Sequence, residues 1–491
     1  MTPSSNKVST IEKNEVQSLE TNWRSIYIAG LLCFSSAIQY SIYFGSMWPY
    51  LQTIDSTASE SFFGFIVASY AISNILLCPL FGFWADKIGS IKKPLYIGLL
   101  GQLIGNAIYI FLVYLVSGAK YGLLVSRMLI GIGSSNVSLF KSYGATATTS
   151  ADRARGMAII TSGFAVGICC APAFNILFTR LGAEGIVLFG IPINMYTSPA
   201  IACTIVNAIG IVVIKFFFAE HYVSLSTNKD GSKCELPPYD KLAVAIIFMT
   251  RSTQIFIISN IETLMSSFSL VTFAFSYKDS INIISTATGA FGLCAALTYF
   301  VYIFFGLEKY IKYRLNIKIG LIGLALFHVI TYSYPFGDKV VTYDSSKINE
   351  TVNQGVIEGR GCDMNKFSWC ESLNQTNPWV YFITFSVIVG ICFPVINIAQ
   401  NTLITKVIGP RNQGQLQGWM NASAGLSQFI GPILSSLIYF SYGPKYAWIL
   451  NFSVCLVTLS LWYIFHDRLV PLKSNECEKT ANVEVQIISK I

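Results

Sequence analysis

Long apolar runs broken by short charged loops leave this chain very few ways to fold. Residues 70–84 and 95–116 are two such runs, and the hairpin GFWADKIGSIKKP (Gly82–Pro94) joins them. A bilayer explains the pattern: two spanning helices meet at a tight loop whose lysines mark the cytoplasmic side. The same alternation recurs along all 491 residues, of which only 12% are charged, against about 25% in a soluble protein. It predicts an all-α polytopic membrane protein with twelve transmembrane helices. The expected spans are 25–51, 62–84, 94–116, 121–146, 156–179, 196–220, 242–275, 281–306, 317–336, 379–403, 416–440 and 446–466.

The net charge of +8 does not imply a nucleic-acid partner, because the basic residues sit in short loops. With the N-terminus inside, the short cytoplasmic loops hold Lys87, Lys92, Lys93, Arg153, Arg155, Lys309, Lys312, Arg314, Lys406 and Arg411. The short far-side loops hold Lys120, Arg180, Lys278 and Lys445. This bias predicts both termini in the cytoplasm. No secretory signal precedes the first apolar run, which is expected to remain as a helix.

Two six-span halves are expected, residues 25–220 and 242–466. A cytoplasmic linker at 221–241 joins them, and tails at 1–24 and 467–491 flank them. Span five reads GFAVGICCAP and span eleven AGLSQFIGP; glycines followed by a proline at matching positions suggest an internal duplication. The long far-side loop 337–378 carries two glycosylation sequons, at Asn349 and Asn374. It also holds Cys362 and Cys370, two of the 12 cysteines. On an oxidising face these form a small disulfide loop; the alternative is two free thiols. Sequons at Asn136, Asn421 and Asn451 fall inside spans and read as chance.

Ionisable residues within spans are few and mark functional positions by default. In span four, Arg127 and Lys141 lie fourteen residues apart, within about 40° of one helical face that also carries Gly131, Ser134 and Ser138. That stripe either lines a water-filled path or locks two helices together, and Lys141 has the further option of snorkelling to the surface. Span seven holds Arg251 and Glu262, about 20° apart in projection and about 16 Å along the axis, with Gln254, Ser266 and Ser269. Glu262 is the one carboxylate deep in a span, which makes it the candidate proton-titrating or gating group; a static interhelical hydrogen bond is the competing reading. In span ten, Asn397, Gln400 and Asn401 share a face beyond Pro394, suited either to solute coordination or to holding helices together. His328 in span nine reads as a helix-packing residue, with a proton relay as the alternative. Deep charge leans positive, which favours an anionic solute.

Several motifs carry a family resemblance. Gly82-x-x-x-Asp86-Lys87-x-Gly89 resembles the loop 2–3 signature of the major facilitator superfamily, with the basic pair displaced by one residue to Lys92-Lys93. Arg127-x-x-x-Gly131-x-Gly133 resembles its fourth-helix motif, and Gly163-x-x-x-Gly167 with Pro172 a loose form of its fifth-helix motif. A closer resemblance, to a lysosomal subfamily of the superfamily, rests on WRSI, MWPYLQTIDSTA, IVASY, SRMLIGIGSSNV, KSY, INMYTSP, GC…WC, GPRNQGQLQGW and YGPKYAW. Glu262-Thr263 also matches that subfamily, whereas Arg251 does not. The resemblance implies the major facilitator fold, a lysosomal or late endosomal membrane, and transport of a small solute, with chloride proposed in the family.

Together these features point to a transporter of a small solute, an anion by the lean of the deep charges, working by alternating access, with proton coupling through Glu262. The alternatives are a chloride channel and a non-transporting sensor or scaffold on the same fold. Expected partners are the solute or ion, the bilayer, and sorting adaptors reading Tyr222-Val-Ser-Leu or Tyr239-Asp-Lys-Leu. No Walker loop, metal-type His/Cys cluster or G-x-S-x-G occurs, so neither enzymatic activity, a metal nor a cofactor is expected. The hairpin has a mechanical reading as well: Gly82 and Gly89 permit a close turn, and Asp86 faces the start of span eleven, near residues 415–418. There it would latch the two halves, with Lys87 beside it.

Overall fold

The computed structural model describes residues 20–43, 46–55, 58, 60–115, 118–149, 151–188, 190–223, 237–306, 312–344 and 361–472. Lys309, the Asn349 sequon, and most of the expected linker and of both tails lie outside these residues. The first part of the chain forms α1 (Trp23–Ser41), α2 (Met47–Ile54), α3 (Glu60–Ile88), α4 (Lys92–Phe111), α5 (Ala119–Ser134), α6 (Asn136–Thr146), α7 (Arg153–Thr179) and α8 (Ser198–Phe216). The second forms α9 (Lys241–Thr272), α10 (Tyr277–Phe305), α11 (Tyr313–Ile330), α12 (Pro378–Thr384), α13 (Gly390–Ile408), α14 (Gly414–Tyr442) and α15 (Pro444–Ile464). Among the described residues, strands occur only in connections: Ile186–Leu188 pairs antiparallel with Ile191–Ile193, and Thr342–Tyr343 pairs parallel with Cys362–Asp363.

Among the described residues, ten helices are long and apolar enough to cross a membrane. The first and fifth expected spans are not in that set, although they form helices of 19 and 27 residues, α1 and α7. These two helices share a seam built from small residues. A methyl group on Gly163 would strike the Gly30 carbonyl, and one on Gly167 the Phe34 carbonyl. In lipid, apolar helices gain little by hiding from water, so close backbone packing holds such a pair. Lipid-facing surface is correspondingly apolar: Phe65, Leu76, Leu293 and Leu437 are each more than half exposed.

Three boundaries differ from the sequence expectation. The run 25–51 is two helices, α1 ending at Ser41 and the short α2 beginning at Met47. Span four is divided into α5 and α6 at Ser135. Span ten passes through five residues of π-helix, Phe385–Val389, between α12 and α13. A π segment inserts a residue into the helical count and is tolerated where neighbouring helices hold the backbone.

Polar contacts fix the remaining seams. Along α9 and α15, Trp462 Nε1 donates to Thr250 Oγ1 (2.8 Å), the Thr253 and Thr458 hydroxyls lie 2.7 Å apart, and Asn260 Nδ2 donates to Asn451 Oδ1 (2.7 Å). Asn207 Nδ2 donates to Gln39 Oε1 (2.9 Å), and Gln39 Nε2 donates to Asn106 Oδ1 (3.3 Å), joining α8, α1 and α4. In the long loop, Cys362 and Cys370 form a disulfide, with Cα atoms 5.7 Å apart. The loop docks on the turn between α14 and α15. Trp369 Nε1 donates to the Phe440 carbonyl (3.2 Å), and Lys445 Nζ donates to the Ser372 carbonyl (2.7 Å). Asn374 is not displayed as its sequon predicts. It is 6% exposed, and Nδ2, the atom that would carry a sugar, donates to the Tyr334 carbonyl at 2.8 Å.

Gly163→Leu is expected to lower the unfolding temperature, overpacking of this kind costing about 1–3 kcal/mol. Nothing lies within 4 Å of a Cβ placed on Gly64 of α3. Gly64→Ala is therefore expected to be neutral or to stabilise by up to about 1 kcal/mol through helix propensity. Differential scanning fluorimetry of the purified variants separates the two.

Candidate functional site

The hairpin brings α3 and α14 together. Asp86 accepts hydrogen bonds from the backbone N–H groups of Gly414 (2.9 Å, Oδ1) and Gln415 (2.8 Å, Oδ2), the first two residues of α14. These N–H groups have no partner inside the helix, and the helix dipole favours a negative charge beside them. Asn412 Nδ2 donates to the Asp86 carbonyl (3.1 Å). The approach is so close that a Cβ on Gly82 would collide with the Gly414 carbonyl, and one on Gly418 with the Cys78 carbonyl. Gly89 makes the turn with φ +67°, a region that favours glycine. The lysines take no part in the clasp: Lys87 and Lys93 are exposed.

Glu220, which the sequence reading did not single out, holds the hairpin from the other side. Its carboxylate accepts from Ser90 Oγ (2.8 Å) and from the backbone N–H of Ile91 (2.7 Å) and Lys92 (2.9 Å), capping the start of α4. The available signal was a helix beginning at Lys92 with no capping side chain of its own. Nothing local in the sequence identifies the end of span six as the donor of that cap.

Arg127 is 1% exposed in α5. Its guanidinium lies over the rings of Tyr70 (4.8 Å) and Tyr43 (5.2 Å), and Nε and Nη1 have no hydrogen-bond partner. Tyr43 is held by Asn106 Oδ1, which accepts from its hydroxyl (2.8 Å), and Tyr70 by Ser134, to which it donates (2.7 Å). The expected stripe is therefore packed rather than open, because the α3 backbone at Tyr70 lies against Gly131 and Ser138 is fully buried.

Lys141 does not share the surroundings of Arg127. It is 4% exposed and its Nζ donates to Asn421 Oδ1 of α14 (3.1 Å), so it does not snorkel to the surface. Arg251 Nη1 donates to Gln254 Oε1 and Asn397 Oδ1, both at 3.0 Å. Gln400 Nε2 donates to the same Gln254 oxygen (2.6 Å), Asn401 Nδ2 to Asn397 Oδ1 (2.9 Å), and Asn397 Nδ2 to the Tyr299 hydroxyl (2.8 Å). The span-ten amides thus form one buried network around Arg251.

Glu262 leaves this group. It is exposed, whereas Arg251 and Gln254 are buried against α13 and Ser269 is buried beside Ser280 at 2.5 Å. It stands near enough to the Tyr40 hydroxyl of α1 for direct charge interaction. Tyr40 in turn accepts from Gln428 Nε2 of α14 (2.6 Å), a contact between the two parts of the chain on the side away from the hairpin. His328 is buried against Trp448, with Nδ1 donating to the Leu324 carbonyl (2.8 Å), the geometry of a packing residue. The two tyrosines of the sorting patterns are half-buried. Tyr222 packs against the ring of Tyr143, and Arg411 lies over the ring of Tyr239. An adaptor would first have to lift either ring away.

Asp86→Asn is expected to loosen the clasp by about 1.5–3 kcal/mol, the range for hydrogen bonds to charged groups. Faster thiol labelling of single-cysteine reporters along the α3–α14 seam checks this; unchanged labelling excludes the clasp as a closing element.

The family model for the Major Facilitator Superfamily matches residues 29–343 and 367–487. Major facilitator superfamily domain-containing protein 8 of Xenopus laevis is 28% identical over 494 residues, covering 93% of each chain. The human organic anion transporter MFSD10 superposes with a TM-score of 0.61 at 15% identity, covering 89% of this chain and 98% of that one. The proton:xylose symporter XylE gives a TM-score of 0.62 at 14% identity, covering 93% and 98%. Both structures share the fold. This chain is a multi-pass membrane transporter rather than an enzyme, and it belongs to the major facilitator superfamily.

Proposed function

We propose that the protein moves a small anion by alternating access across a lysosomal or late endosomal membrane. The observation that carries this reading is Arg127. It is a buried cation in a transmembrane helix, its guanidinium lies over two tyrosine rings, and among the described residues it pairs with no carboxylate. A charge in that setting is expensive unless an anion visits it. The printed description of MFSD10 as an organic anion transporter supports the same solute class. The resemblance to the lysosomal subfamily and the likeness to the Xenopus relative support the location.

Alternating access is favoured over a channel by the hairpin face, where α3 and α14 of the two parts meet backbone to backbone at Gly82–Gly414. In this reading the hairpin face is cytoplasmic, as its lysines suggest. The halves are 25–220 and 242–466. Asp86 clasps them while the opposite side admits solute, and the exposed Glu262 near Tyr40 is the proton-coupling group.

Purified protein in proteoliposomes is expected to take up chloride or a small monocarboxylate in a saturable manner, and faster under an imposed pH gradient. Arg127→Gln is expected to reduce uptake by at least about tenfold, equivalent to about 1.4 kcal/mol. Full activity of that variant, or discrete single-channel current steps, would sink the reading. Glu262→Gln is expected to abolish the response to the pH gradient while leaving downhill flux measurable.

A further inference from the structure

We infer that Arg314 and Lys318 of α11, with His466 beyond the end of α15, form a site at the membrane boundary on the hairpin side that takes the phosphomonoester of a lipid headgroup. The site lies apart from the solute path proposed above and does not depend on it.

Arg314 and Lys318 stand one helical turn apart near the start of α11, so their side chains share a face. Both are half-buried, and both reach for the same residue. Arg314 Nη1 donates to the His466 carbonyl (2.9 Å) and lies 3.3 Å from His466 Nε2, while Lys318 Nζ lies 3.2 Å from Nδ1 of the same ring. A neutral imidazole has one acceptor nitrogen and a protonated one has none. At least one of the two cations therefore faces a ring N–H instead of a lone pair. No negative charge relieves this crowding. Among the described residues neither cation pairs with a carboxylate, and Asp467, beside His466, is exposed and pairs with neither. Asp240 is engaged by Arg468 (3.6 Å). The first turn of α11 carries no acid and no capping side chain. Donors gathered in this way gain from an anion that accepts from all of them.

The surroundings select the anion. Leu315 and Ile319 follow the two cations along α11 and are exposed, as are Tyr463 and Ile464 at the end of α15. Lys318 Nζ lies over the Tyr463 ring (4.2 Å). Exposed apolar side chains of a spanning helix face lipid, and tyrosine and lysine at its end mark the headgroup level. The level is that of the hairpin: Tyr313, next to Arg314, accepts from Lys406 of α13 (3.1 Å), close in sequence to the Asn412 that bonds the hairpin. A basic pocket between spanning helices at this depth suits a phosphorylated headgroup. A phosphomonoester carries about −1.5 to −2 charges at neutral pH, which matches two permanent cations, whereas a phosphodiester carries one and leaves a cation uncompensated.

The test measures thermal unfolding of the full-length protein in phosphatidylcholine nanodiscs doped with increasing amounts of a phosphatidylinositol monophosphate. A saturable rise in Tm is expected. Lys318→Gln and Arg314→Gln are each expected to raise the lipid fraction at half-maximal response by at least about tenfold, through loss of one charge-assisted contact. Lys318→Gln carries the test alone if Arg314→Gln, which also gives up the bond to the His466 carbonyl, does not fold. Lys318→Glu supplies the missing counter-charge beside Arg314. It is expected to unfold no lower than the parent in plain phosphatidylcholine and to lose the lipid response. No rise in the parent, or a rise that survives both Lys318→Gln and Lys318→Glu, overturns the site. An equal rise with phosphatidylserine at matched charge overturns the choice of a phosphomonoester. An equal rise with inorganic phosphate in plain nanodiscs overturns the lipid as its source.

Discussion

Helices in a bilayer have no water to escape from, so something other than burial must bring them together, and here backbone contact through small residues does so. Gly30 with Gly163, Gly82 with Gly414, and Gly418 with the carbonyl of Cys78 let helix axes approach closer than any side chain allows. The first pair joins α1 to α7; the other two join the separate parts of the chain at the hairpin face. With those axes fixed, hydrogen bonds such as Thr250–Trp462 and Gln39–Asn207 set the rotation of each helix.

Against that framework the buried charges stand out. Arg127, Lys141 and Arg251 lie in three surroundings: two tyrosine rings, a single asparagine, and a web of amides. Amide oxygens and ring faces solvate a cation in part without neutralising it. A carboxylate in the same place would tie the helices together permanently. Partial solvation instead leaves the positive charge of these side chains unneutralised.

Much of this was legible in the sequence. The apolar runs located the helices, and the hairpin motif led to Asp86 and to its position at the start of α14. The finer geometry was not legible, for identifiable reasons. A face counted at 100° per residue placed Arg127 with Lys141 and Arg251 with Glu262. In each pair, however, the long side chains are drawn to different neighbours: Tyr70 against Asn421, and Asn397 against open space near Tyr40. Angular counting gives the direction of a Cβ, not the destination of a side chain several bonds long. Sequence spacing equally could not pair Glu220 with Ser90 or Tyr40 with Gln428, 130 and 388 residues apart. Nor could the Asn374 sequon show that its amide is consumed by the Tyr334 carbonyl, because a sequon records composition and not exposure.

The two carboxylates at the hairpin differ in what they hold. Glu220 follows α8 and grips the start of α4, both within the first part of the chain, whereas Asp86 reaches across to α14 of the second. In the proposed cycle, opening of the seam requires only the second grip to release. The hairpin then travels as a fixture of the first six spans, and α14 departs with two peptide N–H groups newly uncovered. Water must hydrate those groups for the departure to be tolerable. Wetting of that helix end thus becomes part of the opening step, and the polar residues from Asn412 to Gln417 give water a foothold where the apolar spans give none.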